Sequence, residues 1–230
     1  MKAYIFDFNG TMVKDSVLHE TAWRRFVEQL CGRNVTDEEF DLHVHGKTSE
    51  MILRHFLGQQ EITKEEIVKY SLEKEAYYRK LCIAQGEKFQ LMDGLIDFLN
   101  KATEQGIPMT IATAANKENV DFYFEWFHLE QWFDKGLVVY DDATLKGKPD
   151  PDIYLRAMAR IGAKPEDCVV FEDAVSGVLS ASAAGVRTIV GIYGDSNRRL
   201  LEETGKVDLN CEDFRFLKIE IISPRRNMVK

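Results

Sequence analysis

The chain is short of cysteine in any useful arrangement: its four, Cys31, Cys82, Cys168 and Cys211, are scattered, and no C-x-x-C occurs. That spacing argues against zinc and leaves free thiols, as expected of a cytoplasmic protein. Long apolar runs are missing as well, so no segment reaches bilayer-spanning length and no membrane association is expected. Met1-Lys2-Ala3 runs directly into an apolar segment, which reads as lacking a signal peptide. Basic charge is in deficit, with 30 Lys and Arg against 38 Asp and Glu and a net charge of −8. The pI of about 5.3 argues against non-specific nucleic-acid binding. Such a surface also repels phosphorylated ligands at long range, so any phosphate site must be locally basic or hold a metal. There is no G-x-G-x-x-G after the first apolar segment and no Walker A sequence, so neither a dinucleotide nor a P-loop is supported. Internal repeats and low-complexity segments are also lacking.

What is present is an ordinary globular composition, 45% hydrophobic and 30% charged over 230 residues. The length suits one large domain, or a core with a smaller insert. Ala3-Tyr4-Ile5-Phe6 reads as a buried strand. Residues from about Val13 to Leu91 read as helical. Trp23, Phe26, Val27 and Leu30 share an apolar helix face, and Thr36 with Glu39 and Thr63 with Glu66 form capping boxes. Val35 with Phe40 and Ile62 with Ile67 flank those boxes as hydrophobic staples. The stretch from Lys64 to Gln85 predicts one long amphipathic helix. His43 and His45 read as surface or packing residues.

From Leu91 the pattern alternates. Strands are predicted at Met109–Thr113, Leu137–Tyr140, Cys168–Phe171 and Thr188–Ile192, with helices from Leu95, Asn116, Asp152 and Ser176. Such alternation predicts an α/β fold with a Rossmann-like parallel sheet. The first strand needs partners and joins that sheet. The expected organisation is therefore a discontinuous core, residues 1–13 and 92–230, with a helical cap domain at 14–91 inserted into it.

Four short segments fall at the carboxyl ends of predicted strands: Asp7 with Asn9, Thr113, Lys148, and Glu172 with Asp173. Ligand sites of open α/β sheets lie there. Each alone is commonplace as a cap, turn or solvated pair, but their joint occurrence is not. A carboxylate can accept a phosphoryl group as an acyl phosphate. Two anions approach only with compensation, which paired carboxylates holding magnesium would supply. A lysine would neutralise the remaining charge, and a hydroxyl with backbone amides would orient the phosphate oxygens.

Phe6-Asp7-Phe8-Asn9-Gly10-Thr11, with Thr113, Lys148 and Glu172-Asp173, resembles the motif set of the haloacid dehalogenase-like superfamily, in its β-phosphoglucomutase-like branch. The resemblance implies that Asp7 is the nucleophile and that Mg2+ is held by Asp7, the backbone carbonyl of Asn9, and Asp173. Glu172 would support the ion directly or through water. It also places Thr113 and Lys148 on the phosphate, with Ala114 and Asn116 beside Thr113. In the cap, His19, Trp23, Lys47 and Lys74 match substrate-facing positions. Lys47 stands near a missing arginine that grips a second phosphate, and a lysine offers charge without the bidentate fork. The expected partner is a small phosphorylated metabolite, a sugar phosphate foremost, with no obligate protein partner evident.

One residue departs from the pattern. Asn9 stands where phosphatases of the superfamily carry a second Asp as general acid and base. An amide cannot give and retake a proton, and such catalysis is worth roughly 10²–10⁴-fold. The expectation is a magnesium-dependent phosphatase acting through Asp7 and impaired by Asn9. The alternatives are a β-phosphoglucomutase-type mutase and a non-catalytic sugar-phosphate binder. A dehalogenase is disfavoured, because the Glu172-Asp173 pair argues for a metal. Two routes of rescue suggest themselves: a proton from His19, or deamidation at Asn9-Gly10.

Overall fold

The computed structural model describes residues 2–44, 49–57, 62–194 and 197–219. The chain divides into two compact units, Met1–Lys14 with Gln90–Lys230, and Asp15–Phe89.

The first unit is a six-stranded sheet in the order β3-β2-β1-β4-β5-β6. The strands are β1 (Ala3–Phe6), β2 (Met109–Asn116), β3 (Val139–Asp141), β4 (Cys168–Glu172), β5 (Thr188–Ile192) and β6 (Leu209–Cys211). Every pairing is parallel. β1 lies centrally, with Tyr4 opposite both Met109 and Val169. Successive side chains of a strand point to opposite faces, and β1 shows it. Ala3 and Ile5 pack into an aliphatic cluster with Val170, Ile153, Ala157 and Met158. Tyr4 and Phe6 enter an aromatic cluster instead, with Phe6 stacked on Phe171 at 4.5 Å and Tyr4 on Phe98 at 5.5 Å.

Two strands depart from the sequence reading. The third was expected at Leu137–Tyr140 but begins at Val139, because Lys135–Leu137 forms a 3-10 turn. Asp134 stabilises that turn by accepting the Gly136 N–H at 2.8 Å. β2 runs past Thr113 to Asn116, resuming its pairing with Asp141 after a register shift. β6 and the short helix Arg198–Glu203 were not anticipated.

Among its described residues the second unit holds four α-helices, α1 (Ser16–Cys31), α2 (Asp37–His43), α3 (Ser49–Phe56) and α4 (Lys64–Gln85). α4 opens on the reciprocal Thr63–Glu66 capping box. At α2, Thr36 accepts from Glu39 N–H at 3.1 Å, but the Glu39 carboxylate grips Arg33 with both oxygens. Val35 packs with Phe40 in one apolar cluster and Ile62 with Ile67 in another. His43 stacks on His55 with ring centroids 3.5 Å apart; His45 lies outside the described residues. The fold is thus an α/β Rossmann-like sheet with an inserted helical cap. No helix among the described residues is long and apolar enough to cross a membrane.

Candidate active site

The carboxyl end of the sheet gathers Asp7 after β1, Thr113 on β2, and Glu172 with Asp173 at the end of β4. Asp7 is fixed through its backbone, whose N–H donates to Phe171 O at 3.0 Å. Glu172 is the fifth and last residue of β4, in an alternation whose first and third residues, Cys168 and Val170, enter the aliphatic cluster. It therefore projects to that same face, where it is fully buried.

Lys148 joins the acidic groups. Its Nζ donates to Asp7 Oδ1 at 2.6 Å and also to Glu172 Oε1. Glu172 Oε1 takes a second hydrogen bond, from the Tyr154 hydroxyl at 2.8 Å, and Oε2 accepts the Ala174 N–H at 2.9 Å. Removing a carboxylate from water is expensive unless its lone pairs find donors, and here they do. Burial works to lower the Lys148 pKa, but the adjacent Asp7 and Glu172 carboxylates outweigh it and raise it, so the ammonium stays charged. Burial and the Glu172 charge together push the Tyr154 phenol well above its ordinary range.

Asp173 is in the opposite position. Burial, then the Glu172 and Asp7 charges, push its carboxyl well above the usual carboxylate range, although Lys148 and the Thr11 hydroxyl pull it down. Thr11 Oγ1 donates to Asp173 Oδ1 at 3.1 Å, and Asn197 Nδ2 donates to the Asp173 carbonyl at 2.7 Å. Asp7, Glu172 and Asp173 each offer an oxygen, all within 4.8 Å of one another. An all-oxygen set with one carboxyl forced toward its neutral form fits a hard divalent cation, which would relieve that repulsion. A consequence can be measured. Because the Asp173 carboxyl is pushed upward, binding of a divalent cation at this cluster should release protons and should weaken as pH falls. Calorimetric titration in buffers of different ionisation enthalpy reads this directly. Buffer-independent heats would show that no proton is displaced.

Two glycines keep this cluster close. Gly10 has φ of +80°, and a Cβ there would overlap the Asp173 carboxylate. Gly177, at the start of the helix Val175–Ala183, faces Glu172 so closely that a Cβ would occupy the carboxylate's place.

The other sequence-derived positions separate. Thr113 is buried, and its Oγ1 accepts the Ala115 N–H at 3.1 Å. Ala114 is exposed. Asn116 caps the helix Lys117–Phe127, accepting Asn119 N–H at 3.0 Å, so its side-chain oxygen is committed to that helix. Asn9 Nδ2 donates to the Tyr123 hydroxyl at 2.8 Å. Lys47 lies outside the described residues.

Within the cap, His19, Trp23 and Lys74 come together. Lys74 is only 2% exposed. Its Nζ lies 3.0 Å from His19 Nδ1, 2.7 Å from Glu75 Oε1 and 5.1 Å above the Trp23 ring. An ammonium can only donate, so His19 Nδ1 accepts and the ring proton sits on Nε2, 3.5 Å from Asp15 Oδ2. His19 also stacks on Tyr78 at 3.8 Å, and Tyr78 donates to Asp15. Both ring nitrogens of His19 are thus engaged within the cap, which disfavours it as a proton source. Deamidation fares no better: Gly10 N, which would have to attack the Asn9 amide, donates to Val13 O at 2.9 Å.

Asp15, Glu75, Tyr78, Tyr123, Tyr154 and Gly177 were not singled out by sequence. Tyr154 reads there as one more apolar-face residue of the helix Asp152–Arg160, since periodicity reports burial and not what a hydroxyl meets.

Comparison with known proteins agrees with this geometry. A family model described as a haloacid dehalogenase-like hydrolase matches residues 1–185. The chain is 31% identical to a phosphorylated carbohydrates phosphatase of Thermotoga maritima, over 91% of this chain and 94% of that protein. A haloacid dehalogenase hydrolase of family IA, variant 3, from Entamoeba histolytica superposes with a TM-score of 0.88 at 36% identity, covering 96% and 97% of the two chains. An Asp-to-Asn mutant of CbbY from Rhodobacter sphaeroides, in complex with xylulose-(1,5)-bisphosphate, superposes with a TM-score of 0.80 at 26% identity, covering 97% and 99%.

Proposed function

This chain belongs to the haloacid dehalogenase-like hydrolases, and we propose that it is a magnesium-dependent phosphatase of small phosphorylated metabolites, sugar phosphates foremost, acting through Asp7. The observation that carries the reading is the buried convergence of Lys148 on Asp7 and Glu172 beside Asp173.

In this reading Asp7 attacks phosphorus, an acyl phosphate forms on its carboxylate, and the bond to the leaving oxygen breaks with its electron pair staying on that oxygen. Water then attacks the acyl phosphate, releasing inorganic phosphate and returning Asp7 to a carboxylate. Lys148, held charged, neutralises the transferring group, and the Thr113 proton orients one of its oxygens. Asp7, Asp173 and the Asn9 backbone carbonyl would hold the magnesium ion, with Glu172 beside them. When bound, the ion would supply positive charge to the phosphoryl oxygens. His19, Trp23 and Lys74 would form the cap's contribution to substrate selection. Likeness to a phosphatase of phosphorylated carbohydrates supports a sugar phosphate as the ligand class.

The test is phosphate release from a panel of phosphorylated metabolites with and without magnesium. Turnover that stops when the ion is chelated is the expected result. Tight binding of a sugar phosphate with no turnover on any substrate would instead make the protein a binder and overturn the catalytic reading.

A further inference from the structure

We infer that the Asn9–Tyr123 pair restricts this site to phosphoryl compounds whose leaving oxygen needs no proton, such as anomeric sugar phosphates and acyl phosphates, over phosphate esters of ordinary alcohols. The inference rests on the phosphatase reading above and names its substrate class.

Asn9 is half-buried, and its side chain is anchored to the core. Its Nδ2 donates to the Tyr123 hydroxyl at 2.8 Å. Tyr123 is 1% exposed, on the helix Lys117–Phe127, and its ring stacks on Phe8 with centroids 4.0 Å apart. Phe8 immediately precedes Asn9, so backbone and side chain are tied to the same aromatic residue. A buried phenol accepting an amide N–H is a complementary match. The amide so held is oriented by Tyr123, which takes one of the two Nδ2 protons, and no atom of Asn9 exchanges a proton near neutrality.

The consequence follows from the bond that breaks. When Asp7 attacks an alkyl phosphate, the departing oxygen carries its electron pair as a strongly basic alkoxide and must acquire a proton as the bond opens. When it attacks an acyl phosphate, the same pair leaves on a carboxylate, which is stable without one. The anomeric oxygen of a sugar lies between them. Loss of general acid catalysis costs roughly 10²–10⁴-fold where protonation is needed and little where it is not. Hydrolysis of the phosphorylated Asp7 is common to all substrates, so selectivity is read in kcat/KM, which reports the transfer step from each substrate.

The test compares kcat/KM of the full chain, with magnesium, on acetyl phosphate, an anomeric hexose phosphate and glycerol phosphate, in wild type, Asn9→Asp and Tyr123→Phe. Wild type should prefer acetyl phosphate and the anomeric ester. Asn9→Asp should raise kcat/KM on glycerol phosphate by roughly 10²-fold more than on acetyl phosphate. Tyr123→Phe, checked for folding by thermal melting, should lower kcat/KM on the preferred substrates while leaving their rank order intact. Rapid turnover of glycerol phosphate by wild type, or an equal gain on all three substrates in Asn9→Asp, would overturn the inference while the phosphatase reading stands. Absence of phosphate release from every substrate in both wild type and Asn9→Asp would overturn the phosphatase reading itself.

Discussion

Asp7→Ala is expected to abolish phosphate release, lowering kcat by a factor on the order of 10⁴–10⁶, the scale on which removal of a catalytic nucleophile registers. Asp7 is the carboxylate that Lys148 touches outside Glu172, and it is the one at the exit of the central strand. No neighbour can replace it. Glu172 spends both oxygens on Lys148, Tyr154 and the Ala174 N–H, and the Asp173 carboxyl is pushed toward its neutral form. Acid-quenched wild type exposed to radiolabelled substrate should carry label that hydroxylamine removes, as an acyl phosphate does. The variant should carry none. Residual turnover within tenfold of wild type would place the nucleophile elsewhere.

Lys148→Met should damage folding and chemistry together. Breaking a buried ion pair by removing one partner costs about 3–5 kcal/mol, because the other charge is left uncompensated. Here two carboxylates lose their shared donor, and Glu172 is fully buried. kcat/KM should fall by roughly 10²–10³-fold, as when one charge-stabilising donor is removed from a transition state. The stability loss should depend on pH in a direction that can be worked out. Lys148 lowers the Asp173 pKa, so its removal lifts that raised value further. A carboxyl whose folded pKa is raised makes the native state bind more protons, and stability then falls as pH rises through that range. The gap between variant and wild type should therefore be widest above the raised Asp173 range and narrow as pH falls through it. Urea denaturation at several pH values measures it, and a gap that widened on acidification would refute the electrostatic account.

Much of the architecture was legible because its signals were local. β1 and β5 are short apolar runs with clean ends, and α4 begins at a capping box whose two halves lie three residues apart. Asp7, Glu172 and Asp173 were visible as strand-end residues; Lys148, read as another, lies instead in the loop between β3 and the helix Asp152–Arg160, yet the fold carries it to the same place. The illegible parts depended on pairing across the chain. β6 is three residues with Asn210 in the middle, and only its register against β5, Gly191 opposite Asn210, makes it a strand. The third strand lost its first residues to a turn held by Asp134. Tyr154 and Tyr123 carry the same apolar-face signature as any core aromatic. What distinguishes them is the partner of one oxygen atom, Glu172 in one case and Asn9 in the other.

The central place of β1 also bears on how the chain is made. Synthesis delivers Tyr4, Ile5 and Phe6 long before their neighbours in the sheet, which are Met109 to Ile111 on one side and Cys168 to Phe171 on the other. The helices of residues 15–89 can close on contacts among themselves as they leave the ribosome, whereas the leading strand must wait until most of the polypeptide exists. At translation speeds of roughly 5–20 residues per second, that interval lasts several seconds or more, with an apolar strand lacking its final neighbours. A nascent chain halted before residue 168 should thus be a client for chaperones, and one halted after β4 much less so. The segment that carries Asp7 would thus be made well before the strands that secure it.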